Sequence, residues 1–116
     1  MSIKDFRRRT LIDWNLPEES LDYDIHNISN LNEGFKINVN AIFITHSNYG
    51  DRALIVDVEQ KKRFSLPKHL TDQCRSIIAD PEAVAEIKEN KVIGVIIDCF
   101  NKTYNTHYNS LDFILK

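Results

Sequence analysis

The chain is predicted to be a mainly β domain with short helices, in which five strands form a small Greek-key barrel with a helical insertion between strands 3 and 4. Three observations predict it. Residues 35–43 alternate, with Phe35, Ile37, Val39, Ala41 and Phe43 on one face and Lys36, Asn38, Asn40 and Ile42 on the other. That period of two belongs to a strand with one packed face. Residues 92–97 (VIGVII) are apolar throughout and mostly β-branched, as in a central strand covered on both sides. Between these two stretches, Leu70, Cys74, Ile77 and Ile78 recur at helical spacing.

The totals set the frame. A chain of 116 residues with 42% hydrophobic and 28% charged content is sized for one compact domain with its own core. No apolar run approaches a membrane span, and the N-terminus lacks the apolar centre of a secretory signal, so a cytoplasmic location is expected. A net charge of −2 means that an anionic ligand must be met by a local patch rather than by the global field. Cys74 and Cys99 are each expected to be a buried thiol rather than half of a disulfide or a metal ligand.

In chain order, residues 1–33 read as an N-terminal extension packing on the barrel, and residues 34–116 as the barrel itself. The extension opens with Lys4 and Arg7–Arg9, followed by Leu11, Ile12 and Trp14, with a short strand over Arg9–Trp14. Trp14 is expected to pack on the barrel, and the stretch from Pro17 to Glu33 reads as loop. The first barrel strand turns at residues 46–51 (HSNYGD), where Asn and Gly tolerate positive φ, and Leu54, Val56 and Val58 resume the alternation. A turn over Glu59–Lys62 leads to a third strand, Arg63–Leu66, with Phe64 and Leu66 inward. Ser65 and Pro67 are placed to cap and open the first helix. Asp80 and Pro81 do the same for the second, which Asn90 ends in the left-handed region. The fourth strand covers Lys91–Phe100, and a tip at residues 101–105 leads to the fifth, His107–Leu115, with Leu111, Phe113 and Leu115 inward.

Five strands with helical material between the third and fourth is the element order of an OB-type (oligonucleotide/oligosaccharide-binding) barrel. That fold presents the outer face of its second and third strands, and its loops, to single-stranded ligands. Residues 43–56 (FITHSNYGDRALIV) also resemble the hairpin of small single-stranded-DNA-binding proteins from Gram-positive, lactococcal-type phages and conjugative elements. Phe64–Leu70, Ala83–Val92 and the tip Asn101–Tyr104 followed by Tyr108 are similar to further segments of that group, so the resemblance covers residues 34–116. It implies sequence-tolerant binding of single-stranded DNA in phage or plasmid replication and recombination. It also implies a homo-oligomer, dimer or higher, working with replication or recombination proteins in the host cytoplasm, with no cofactor and no membrane.

Binding an unpaired strand takes cations for phosphates and flat side chains for bases; stacking contributes about 1–3 kcal/mol per base. Lys36, Arg52, Lys61, Lys62, Arg63, Lys68 and Lys102 are the candidate cations, and residues 60–69 hold four of them with no acid. Tyr49, Phe100, Tyr104 and Tyr108 are the candidate platforms, and Asn38 and Asn40 the candidate hydrogen-bonding groups on the open face. Each has a structural reading beside the functional one. The charge run is a solvated face or a groove, Tyr49 packs across its turn or stacks, and Phe100 is core, subunit contact or platform. Ile42 and Ile55 fall on the face taken as open, so they need a cover. This and the charge of −2 favour an alternative function, a module that binds another protein through the same barrel face. His26, His46, His69 and His107 are scattered without metal spacing, Asp57 and Asp98 read as solvent-facing strand acids, and the chain reads as a non-enzyme.

Overall fold

The computed structural model describes residues 14–46, 48 and 50–116. The expected strand over residues 9–14 falls almost wholly outside these. Seven strands among the described residues form two sheets. The strands are β1 (Asp24–Asn27), β2 (Lys36–Asn38), β3 (Ala41–Thr45), β4 (Arg52–Asp57), β5 (Lys62–Ser65), β6 (Val92–Asn101) and β7 (Thr106–Leu115). Sheet A has the order β1-β5-β4-β3 and sheet B the order β2-β6-β7. The mainly β class with short helices between β5 and β6 holds, but neither sheet closes into a barrel.

The expected first strand is two strands with a corner between them. The Val39 amide donates to Val92 O in sheet B (3.0 Å), and the next amide, Asn40, donates to Val56 O in sheet A (2.9 Å). Crossing the corner exchanges the faces. Ile37 and Val39 point into the main core before it, whereas Ile42 does so after it, with Ile44 packed alongside. Ala41 and Val56 belong instead to a second, smaller cluster on the outer face of sheet A, with Tyr23 buried there and Trp14, Leu16, Phe43 and Val58 packed against it. Ile42 and Ile55, expected on an open face, are therefore in the main core with Phe64, Leu66 and Ile96. A shift of one residue moves every side chain of a strand to the other face.

The corner is held by a polar network. Asp57, fully buried rather than solvent-facing, accepts from the Asn38 amide (2.8 Å), the Gln60 amide (2.9 Å) and Gln60 Nε2 (2.6 Å). Asn38 Nδ2 and Asn40 Nδ2 both donate to Asn90 Oδ1, at 2.8 and 3.1 Å, and the Val58 amide donates to Asn40 Oδ1 (2.9 Å). A buried carboxylate is tolerable only with its lone pairs occupied, and here three N–H groups occupy them.

The stretch before Gly34 is more ordered than loop. β1 pairs in parallel with β5, Asp24 opposite Lys62 through Asn27 opposite Ser65. Ile28 is fully buried in the main core, and Trp14 meets the Phe43 ring edge-on at 6.2 Å, as its expected packing requires. After β5 the chain makes a 3-10 turn, Lys68–Leu70, before α1 (Thr71–Ala79). Pro67, at φ −62 and ψ 156, is still extended, and Ser65 is the last residue of β5, so neither caps this helix as expected. At α2 (Pro81–Lys88) the expectation holds: Asp80 accepts from the Glu82 amide (3.0 Å), Pro81 opens the helix, and Asn90 follows at φ +61. Cys74 is buried and Cys99 half-buried, both free thiols, and burial pushes the Cys74 thiol up to about 11.

Candidate nucleic-acid interface

β6 and β7 pair over ten residues each, from Val92 opposite Leu115 to Asn101 opposite Thr106. β2 reaches only from Lys36 opposite Val95 to Asn38 opposite Ile93, so beyond Ile96 the hairpin runs out without it as an arm. Asn101 closes the tip by accepting from the Thr103 amide (3.0 Å), and Asn105 takes the left-handed conformation that the tight turn demands (φ +50). The arm carries the exposed aromatics among the described residues: Phe100 is 48% exposed, Tyr104 74% and Tyr108 42%.

Beside the arm, along the outer edge of β7, runs a groove of about 630 Å³. Its lining comes from the arm (Asp98, Asn101, Thr106, His107, Tyr108, Asn109), from Ser29 and from Pro67 and His69. Asn109 Nδ2 donates to Ile28 O (2.9 Å) and Leu31 O (2.7 Å), which ties the 28–31 segment to β7. His69 meets the Tyr108 ring edge-on at 5.2 Å, with its Nε2 3.1 Å from Ser110 Oγ. Partial burial lowers the His69 pKa from its ordinary value. Opposite, His107 Nδ1 lies 2.8 Å from Asp98 Oδ2, and its ring packs on Phe100 with centroids 5.0 Å apart. The groove thus offers hydrogen-bonding side chains and the Tyr108 ring, with the exposed Phe100 packed on its lining residue His107.

Of the thirteen residues singled out from the sequence, the structure gathers some and scatters others. Phe100, Lys102, Tyr104 and Tyr108 stand on the arm. Lys68 is exposed between the groove residues Pro67 and His69; a Cβ on Gly50 would touch its Cε and Nζ, both at 3.5 Å. Arg52 is exposed on the same turn, opposite Thr45. Gly50, at φ +108, lets that turn close where a side chain would be strained. Asp51 anchors it to α1: its carboxylate pairs with Arg75 and lies 2.6 Å from His46 Nδ1, and that hydrogen bond to His46 first of all lowers its pKa. Tyr49 lies outside the described residues.

The remaining candidates lie at the other end. Lys62 is opposite Asp57, Lys61 occupies the turn before it at φ +57, and Lys36 is opposite Val95, five residues before Phe100. At a rise of about 3.3 Å per residue that separation is roughly 17 Å. Arg63 Nε donates to Tyr23 O (2.7 Å), and Asn38 and Asn40 are held in the corner network, so these three serve the fold. The outer face of the second and third barrel strands, expected to be open, is covered by Trp14, Leu16 and Tyr23. His69, Asp98, Asn101, His107 and Asn109 were not singled out as binding residues. The run Asn101–Asn109, polar and aromatic with His107 inside it, was the signal available.

Scanned against protein-family models and compared with curated proteins and solved structures, the chain gives no match. Among the described residues no three His, Cys, Asp or Glu side chains group as a metal site, and no helix is long and apolar enough to cross a membrane.

Proposed function

We propose that the chain binds single-stranded DNA without sequence preference, in phage or plasmid replication or recombination, through the β6–β7 arm and the groove beside it. The observation that carries this reading is the arm itself. Three aromatic side chains, each between 42% and 74% exposed, stand on one projecting hairpin, and Tyr108 among them lines the groove. Exposed rings of this size cost free energy in water unless a partner covers them, and unpaired bases cover rings well. For the phosphates, Lys68 adjoins the lining residues Pro67 and His69, and Lys102 stands at the tip of the arm. The frame supports the same reading. A strand bent between two sheets, followed by two antiparallel strands, helices and a long hairpin, is an OB-type order. Here the 24–31 segment occupies the gap in which β5 and β7 would otherwise pair to close a barrel.

One observation favours a second reading, that of a protein-binding module: the groove lining contains Asp98 and neither lysine nor arginine. Fluorescence anisotropy of a labelled oligo-dT of a few tens of nucleotides, at low and moderate salt with a duplex control, separates the two. Strand binding predicts saturable association with the single strand alone, weakened by salt. Tyr108→Ala and Tyr104→Ala should each weaken it by about 1–3 kcal/mol with little change in the salt slope. No association at either salt would overturn strand binding and leave the protein-binding module.

A further inference from the structure

Sheet B has two edges, and the fold treats them differently. At the β2 edge the outward backbone groups are met by side chains: Lys36 O accepts from Gln60 Nε2 (3.1 Å), and the Asn38 amide donates to Asp57 (2.8 Å). β7 is the other edge. The bonds at the base fix which of its backbone groups point outward. Val92 O accepts from the Val39 amide, and Ile96 bonds through both its amide and its carbonyl to Phe35 and Gly34, all on the β2 side. Bonding direction alternates along a strand, so Ile93 and Val95 turn their backbone groups to β7, where they face Ile114 and Asp112. The Lys116 amide, donating to Lys91 O (2.8 Å), keeps the same alternation. Phe113 and Leu115 therefore turn their N–H and C=O groups away from the sheet. Among the described residues nothing bonds to them. Such a row of unpaired groups is a template for another strand.

Beside this stretch lies an apolar cavity of about 140 Å³. Phe113 and Leu115 line it from one face of β7 and Ile114 from the other, so it wraps the strand's edge. Ile77 of α1 and Ala83 and Ile87 of α2 line it from the helices, and Ala83 is the small side chain that leaves the room. Ile114 is 41% and Leu115 61% exposed. The charged residue in the lining is Glu86, which forms no ion pair among the described residues.

We infer that the Phe113–Leu115 edge takes an extended peptide of a partner protein as a further strand of sheet B, with an aliphatic side chain in the cavity and a basic one beside Glu86. The N–H and C=O groups of Phe113 and Leu115 supply the main-chain bonds, and the cavity supplies the side-chain preference. A peptide backbone offers donors and acceptors in the alternation this edge requires. Nucleic-acid phosphates only accept, so they would oppose the outward carbonyls, and the lining holds no cation for them. A second copy pairing through its own β7 would bring α1 and α2 with it and crowd two pairs of helices into one seam, whereas a single strand fits between β7 and the helices. The inference does not rest on strand binding, which uses the other half of the hairpin.

Labelled heptapeptides with a central alanine, valine or leucine, flanked by lysines or by glutamates, test it against the intact chain by fluorescence anisotropy and amide hydrogen exchange. The leucine peptide with lysines should bind, and a central alanine or flanking glutamates should weaken it about tenfold or more. In the free chain the Phe113 and Leu115 amides should exchange fast and those of Asp112 and Ile114 slowly; bound peptide should protect the first two. Methylating the peptide nitrogens that pair with β7 should abolish binding. Ala83→Phe should fill the cavity and remove binding, and Glu86→Lys should reverse the preference for flanking charge, both with the wild-type urea midpoint and oligo-dT affinity. Absence of binding by every heptapeptide, binding that leaves Phe113 and Leu115 unprotected, or binding that survives methylation would overturn the site. Protection of the same two amides that rises with protein concentration alone would give the edge to a second copy and overturn the partner. Oligo-dT affinity, measured on the same variants, keeps these outcomes separate from that of the strand-binding reading.

Discussion

From Val92 to Ile96 the β6–β7 hairpin has β2 on one side, the core beneath it and the Asp57 network at its foot. From Ile97 to Asn109 the same ladder continues, yet its large side chains are exposed and Asn109 and Ser110 hold the neighbouring segments by hydrogen bonds. The ladder is continuous, so the difference lies in what flanks it. At the base, Ile37, Val92, Ile96 and Leu111 meet other apolar side chains and bury; at the arm Phe100, Tyr104 and Tyr108 stay exposed. Stability is concentrated in the first region and the surface free to bind in the second, which is the division expected where a rigid scaffold presents a binding loop.

The largest effect expected from breaking this division is at Asp57. Asp57→Ala leaves the Asn38 and Gln60 amides, both near a buried site, without their acceptor, and should lower the unfolding free energy by about 3 kcal/mol. Asp57→Asn keeps an acceptor oxygen and should lose less. Urea denaturation measures both. Because the network lies at the base, oligo-dT affinity of the protein that remains folded should be unchanged. A loss of affinity larger than the loss of folded fraction would show that base and arm are coupled.

A smaller effect is expected at Gly94, where the base strands approach closely. A Cβ there would lie 2.8 Å from Leu111 Cδ2, in a side chain that is itself buried. Overpacking costs about 1–3 kcal/mol, and replacing a strand glycine returns about 0.5–1 kcal/mol. Gly94→Ala should thus destabilise by about 1 kcal/mol net. Leu111→Ala removes the crowding Cγ and Cδ carbons, so the double variant should lose less than the sum of the two single ones.

How much of this was legible in the sequence follows the same line. The alternation of residues 35–39, the apolar run 92–97 and the Asp80–Pro81 helix start carry their information in local spacing, and each forms the element expected. The corner does not. Nothing within residues 35–45 says that Val39 bonds to β6 and Asn40 to β4, so the faces of sheet A were read inverted and Asn38 and Asn40 were placed on an open surface. β1 is four residues, Asp24–Asn27, whose pairing with β5 depends on a partner nearly forty positions away. The cations were legible as a run, but a run in sequence is not a patch in space: the turn and strand between Lys61 and Lys68 carry them to opposite ends of β5.

That last separation supplies the smallest and most discriminating prediction. Lys61 is held at φ +57, where a side chain costs about 1 kcal/mol and glycine nothing, so Lys61→Gly should raise stability by up to about 1 kcal/mol. Combined with Lys62→Ala it removes two positive charges from the base end. If the strand lies at the arm, this double variant keeps wild-type affinity and salt dependence. Lys68→Ala and Lys102→Ala should each reduce the slope of log affinity against log salt by about 0.7, the value for one phosphate contact on a single strand. The two pairs carry equal formal charge, so any difference between them reports position rather than net charge. Equal losses from both ends would mean that the strand is long enough to run from the arm to the base, and that the division between a stabilising and a binding half of the hairpin does not hold for the ligand.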